Sequence, residues 1–104
     1  MNEPEFEALA AKTLTRLAEA IEHAGADVEF SGGILTILSE DDRTFLLNKH
    51  APLKQLWYSS PISGAHHYAP HGSEWLSTRD GTSLLARLSE ELAAAGIAAE
   101  LKAA

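Results

Sequence analysis

The side chains best suited to chemistry in this sequence are carboxylates in its first third. Glu19 and Glu22 lie three apart in a helical pattern, so they are neighbours on one helix face, roughly opposite the apolar stripe that carries Phe6 and Leu17. Asp27 and Glu29 lie two apart in an alternating stretch, which puts both on one face of a strand. If the helix end packs beside that strand, the four acids form a single patch able to hold a cation loosely and release it. The residues alone read more readily as solubilising charge. Asp41 and Asp42 fall in a polar turn that could extend the patch but needs no function. Glu3 and Glu7 are further members, although Glu3 and Glu5 are also explained by the positive end of a helix dipole.

His66, His67 and His71 invite a second metal reading. Adjacent strand residues point to opposite faces, so His66 and His67 do not share one ion, and no helical His-x-x-x-His spacing is present. Incidental binding is the better reading there. No serine–histidine–acid order, phosphate loop or dinucleotide motif appears, so hydrolase and nucleotide chemistry have no support.

The elements that position these groups follow from periodicity. From about Glu3 to Ala24, the residues Phe6, Leu9, Thr13, Leu17, Ile21 and Ala24 recur at helical spacing. Asn2 with Glu5 makes a capping box, Pro4 sits in the first turn, and Gly25 ends the helix. Asp27 to Ser31 and Ile34 to Leu38 alternate around Gly32-Gly33, which predicts a tight hairpin. Further strands are predicted over Thr44 to Lys49, Lys54 to Ser60, His66 to Ala69 and Ser73 to Leu76. A closing helix is predicted from Thr82 to Ala95, with Asp80 or Thr82 as cap and Gly96 as stop. Helix, five or six consecutive antiparallel strands, helix implies one α+β domain over residues 1–104. It is a two-layer sandwich with both helices on one face of the sheet.

The other sheet face is then left for solvent or partners. In the fourth strand, alternation turns Leu56 and Tyr58 toward the helices and Gln55 and Trp57 away from them. An exposed Trp57, rimmed by Gln55 and by Asn48 on the neighbouring strand, is a credible interface anchor. Trp75 is read as core.

Composition excludes more than it selects. Zero cysteines remove disulfides, thiolate metal sites and cysteine nucleophiles. Eight basic against fifteen acidic residues give a net charge of −7, the wrong sign for nucleic-acid binding and the right one for cations or basic proteins. No stretch is apolar for the roughly 20 residues a membrane span needs, and Met1 to Glu5 is unlike a secretory signal, so a cytoplasmic protein is expected.

The run Asn48-Lys49-His50-Ala51-Pro52-Leu53-Lys54-Gln55-Leu56-Trp57-Tyr58-Ser59-Ser60-Pro61-Ile62-Ser63-Gly64 resembles the frataxin signature. The likeness continues through His66-His67-Tyr68, Glu74-Trp75 and Arg79-Asp80-Gly81-Thr82-Ser83-Leu84, covering essentially the whole chain. The resemblance implies an α-β-α fold, an acidic ridge on the first helix and strand that binds Fe2+ or Fe3+ weakly and exchangeably, and a sheet surface for assembly partners. Oxygen and imidazole donors suit iron that must be released. Those partners would be a cysteine desulfurase and the iron–sulfur scaffold, contacted by a monomer capable of iron-dependent oligomers. The role implied is that of iron donor or regulator of cluster assembly. By the same resemblance, His67 occupies a position that is often basic at the partner-facing surface.

Two departures stand out. The ridge is sparse, with His23 where another acid commonly sits, and Ala69 replaces the acid usual after the aromatic of the His67-Tyr68 pair. Two other readings are a weak ferroxidase that detoxifies iron and a metal-independent interaction module. The sequence lacks the Glu-x-x-His pairs of a di-iron oxidation centre, so no enzyme is expected beyond weak oxidation.

Overall fold

Helix α1 runs Glu3–His23 in the computed structural model, which describes residues 1–102. Its start is set by a reciprocal cap. The Asn2 side chain accepts from the Glu5 amide at 2.9 Å, the Glu5 carboxylate accepts from the Asn2 amide, and Pro4 lies in the first turn. Gly25, at φ +95°, takes the left-handed position just past the C-cap Ala24. The buried stripe is Phe6, Ala10, Thr13, Leu14, Leu17 and Ile21, with Leu9 only partly covered.

Six strands follow: β1 Asp27–Ser31, β2 Ile34–Leu38, β3 Thr44–His50, β4 Gln55–Ser60, β5 Gly64–His71 and β6 Glu74–Ser77. They form one antiparallel meander in chain order, so every strand pairs with its sequence neighbours. Gly32 and Gly33, at φ +60° and +79°, make the first two-residue turn. β5 is longer than the predicted His66 to Ala69, because it pairs with β4 along its first half and with β6 along its second.

Helix α2 spans Leu84–Ala94 and starts later than predicted. Its cap is Ser83, whose hydroxyl accepts from the Ala86 amide, and not Asp80 or Thr82. Asp80 is used one step earlier: its carboxylate accepts from both the amide and the hydroxyl of Thr82 and so shapes the turn before the helix.

Both helices cover the same sheet face. There Leu35, Ile37, Phe45, Leu47, Leu56, Tyr58, Tyr68 and Trp75 meet Phe6, Ala10, Leu14, Leu17 and Ile21 of α1 and Leu84, Leu88 and Leu92 of α2. The fold is thus the α+β sandwich expected from the pattern of elements. Trp75 ties α1 to the far edge of the sheet. Its ring meets Phe6 edge to face at 6.1 Å, and its indole N–H donates to the buried Thr13 hydroxyl at 3.0 Å.

That hydrogen bond supplies a stability prediction. Thr13→Val leaves a buried indole N–H without an acceptor and should cost about 1–3 kcal/mol. Thr15→Val on the exposed side of the same helix should stay within about 0.5 kcal/mol, both measured by urea denaturation.

Candidate functional site

The register of the sheet decides which side chains share a surface. Pairing runs Ser31 to Ile34, Ile34 to Asn48, Asn48 to Trp57 and Trp57 to His67, so these five residues form one row across the helix-free face. The next row is Glu29, Thr36, Leu46, Ser59 and Ala65. Ile34 and Leu38 on this face are 45% and 38% exposed. Asn48, Gln55, Trp57 and His67 therefore come together as one outward surface.

Trp57 faces away from the helices, but it is half-buried and not the free, exposed ring that alternation alone suggests. His50 stacks on one ring face at 3.8 Å and 8°, and His67 stacks at 4.2 Å and 10°. Its indole N–H donates to Gln55 Oε1 at 2.9 Å. His50 is in turn held by the following turn, where the Leu53 amide donates to its Nδ1 at 3.3 Å. His50 was not among the residues expected to act, although its position two places beyond Asn48 on the same strand puts it on the same face.

The carboxylates are divided. Val28 and Phe30 pair with the core residues Ile37 and Leu35, so the alternate residues Asp27 and Glu29 point to the helix-free face. Glu19 and Glu22 lie on the helix side, rimming a groove with Thr15, Ala18, Val28 and Phe30. Glu19 also borders a second groove, with His23, Arg16, Glu100 and Lys102. All five ridge residues, Glu19, Glu22, His23, Asp27 and Glu29, are exposed. The sheet thus separates the pair Glu19 and Glu22 from the pair Asp27 and Glu29, and among the described residues no group of three or more acids or histidines is placed to hold a metal ion.

The remaining candidates have local duties. Glu3 is exposed in the first turn of α1. Glu7 pairs with Lys49 Nζ at 2.5 Å, a contact that packs the lysine stem against Gly33. The Asp41 carboxylate accepts from Arg43 at 2.7 Å and from Ser39, and these bonds lower its pKa to about 2. Asp42 sits beside it at φ +64°, shaping the turn into β3.

The structure also assembles a polar cluster that periodicity did not reveal. Glu91 on α2 is buried, accepting from the Tyr58 hydroxyl at 2.7 Å and from the Ser63 hydroxyl at 2.5 Å, with Arg87 at 3.7 Å. His66 Nε2 lies 2.8 Å from the same Ser63 oxygen. Ser63, His66 and Glu91 do not make a nucleophilic triad. The serine has one proton and gives it to Glu91, so the imidazole is left to donate to Ser63 and not to deprotonate it. The acid orients the serine, whereas a triad needs it on the histidine. The cluster fastens the β4–β5 turn to α2.

These features define the class: a small α+β domain with one sheet face left open, a ring stack at its centre and exposed carboxylates along one edge. Comparison with known proteins gives the family. The frataxin-like domain matches residues 1–97, and the chain belongs to that family. It is 34% identical over 93 residues to the iron–sulfur cluster assembly protein CyaY of Vibrio cholerae, covering 88% of each chain. Its backbone is similar to frataxin from Psychromonas ingrahamii, with a TM-score of 0.88 and 28% identity over 98% of this chain and 99% of that one. It is also similar to trimeric yeast frataxin from Saccharomyces cerevisiae complexed with ferrous iron, with a TM-score of 0.63, 34% identity, and coverage of 91% and 86%. Among the described residues no helix is long and apolar enough to cross a membrane.

The Glu91 cluster predicts an acid response. Burial pushes the Glu91 carboxyl up, but the Ser63, Ser60 and Tyr58 hydroxyls and Arg87 outweigh it and lower it from its ordinary 4.5. Burial first, then the Arg87 charge, lowers His66 from its ordinary 6.5. Both groups hold fewer protons folded than unfolded, so each adds stability above its ordinary value and loses it as pH falls through the folded value. Melting temperature should be flat above neutrality, decline below about 6.5 and steepen below about 4.5. Glu91→Gln should remove the part of the second step that lies above about 3.8, below which Asp41 and Asp80 also take up protons, and a decline unchanged there would place the titrating group elsewhere.

Proposed function

We propose that this protein binds iron weakly at exposed carboxylates and serves iron–sulfur cluster assembly by docking a cysteine desulfurase, and its scaffold, on the helix-free sheet face. The observation that carries the reading is the cross-strand row Asn48, Trp57 and His67, with Gln55 beside it, on a face that neither helix covers. The relatives support the direction: one is named for iron–sulfur cluster assembly and another was crystallised with ferrous iron.

Iron in this reading is cargo. Glu19 and Glu22 offer two oxygen ligands one helical turn apart, and solvent would complete the shell. Such incomplete chelation fits a metal that must leave again. The separate pair Asp27 and Glu29 lies on the partner face, where its charge would steer a basic patch toward the sheet. We further propose a cytoplasmic monomer, with iron-dependent oligomers of the kind the similar yeast trimer suggests. Iron oxidation should be slow at best, because no Glu-x-x-His pairs line a bundle core.

Two measurements test the reading separately. In an NMR titration, iron(II) should perturb the Glu19 and Glu22 region in fast exchange, more weakly as salt rises. Glu19→Gln with Glu22→Gln should abolish those shifts at a stability cost below about 0.5 kcal/mol per site. Shifts confined to His66, His67 and His71 would overturn the carboxylate assignment. Trp57→Ala should weaken desulfurase binding by about 2 kcal/mol while leaving metal shifts intact. Unchanged binding would remove the sheet face from the interface.

A further inference from the structure

The same surface contains a side chain whose role the proposed function does not supply. A tryptophan standing out from a bare sheet face ordinarily has rotamers to choose from, and each must be frozen out when a partner binds. Here the choice is already made. His50 on β3 and His67 on β5 lie nearly parallel to the indole on opposite sides, at 3.8 and 4.2 Å, and Gln55 takes its N–H. His50 itself is fixed, because its Nδ1 accepts from the Leu53 amide of the Ala51–Lys54 turn.

We infer that His50 is a positioning residue of the contact surface, which with His67 clamps Trp57 so that a basic protein partner meets its apolar rim and not its ring faces. This rests on the proposed function for its occupant. Three observations carry it. Both ring faces are covered, so a partner's arginine or lysine has no open indole face to stack on. The N–H is spent on Gln55, so the rim offers no donor. The charge of the face favours a basic partner, since Asp27 and Glu29 lie on it three strands from Trp57 in a chain of net charge −7. What fits is a narrow apolar slot on a basic surface, with polar groups on either side to meet the two imidazoles.

The clamp is tested first in the isolated protein. The ring protons of His50 and His67 should show upfield ring-current shifts that vanish in Trp57→Ala, and His50→Ala should broaden the Trp57 indole signal and weaken its near-ultraviolet circular dichroism. Unshifted imidazole protons, or a Trp57 signal indifferent to His50→Ala, would overturn the inference. Binding to a cysteine desulfurase comes second. His50→Ala should weaken it about fivefold, and a planar replacement, His50→Phe, should restore most of the loss. If wild-type protein binds and His50→Ala binds equally well, the positioning role is wrong. If wild-type protein does not bind at all, the reading of function fails, and the ring currents alone decide the clamp. Lys49→Ala, which breaks the Glu7 pair on the opposite face of β3, controls for general loosening of the strand.

Discussion

A period-two register, carried without a slip through five antiparallel pairings, separates the core face from the open face in this protein. Moving any strand by one residue would exchange its faces, turning Leu47 or Tyr58 to solvent and Asn48 or Trp57 into the helices. The register is held because the apolar set on one face is nearly complete while the other face mixes Thr, Ser, Asn, Gln and His with a few aliphatics. Two helices then cover only the apolar face. Everything the protein offers to other molecules, apart from the helix-borne acids, follows from that one-sided covering.

The covering also explains the division of the carboxylates. β1 is the edge strand nearest the C-terminal end of α1, so its helix-facing residues Val28 and Phe30 close the core margin while Asp27 and Glu29 must face outward. Acids on this strand also suit an edge strand, since charge discourages pairing with another chain. Two carboxylates on each side of a sheet cannot close on one ion, so under the proposed function any iron they hold would be bound weakly and stay hydrated. A single sharp metal site would require the strand to twist out of the ladder it forms with β2.

The parts of this arrangement that were readable in sequence are those governed by near neighbours. The capping box at Asn2 and Glu5, the Gly32-Gly33 turn and the apolar stripe from Phe6 to Ile21 each depend on residues within a turn or two. The outward direction of Trp57 was readable too, from Leu56 and Tyr58 beside it. What escaped depends on pairing across the sheet or packing between layers. The two imidazoles meet Trp57 from β3 and β5, and their approach is set by register. Glu91 falls on the buried stripe between Leu88 and Leu92, and that spacing was a signal that its carboxylate would be enclosed. Its partners Tyr58 and Ser63, about thirty residues away, could be found only once α2 lay over the β4–β5 turn.

The helix-borne acids and the open sheet face are not independent, because they lie on opposite sides of the same edge strand. Glu19 and Glu22 rim the groove floored by Val28 and Phe30, and Asp27 and Glu29 flank those two residues in sequence while facing the other way. The screening length at physiological salt is about 8 Å, comparable with the thickness of one sheet layer and its side chains. Under the proposed function, a divalent ion held by the helix pair would therefore weaken the negative field felt by a basic partner approaching the strand pair, without touching the strand pair itself. The coupling needs no conformational change. It would be electrostatic, act mainly on the rate of encounter, and leave the ring stack at the centre of the sheet to determine how long a complex lasts.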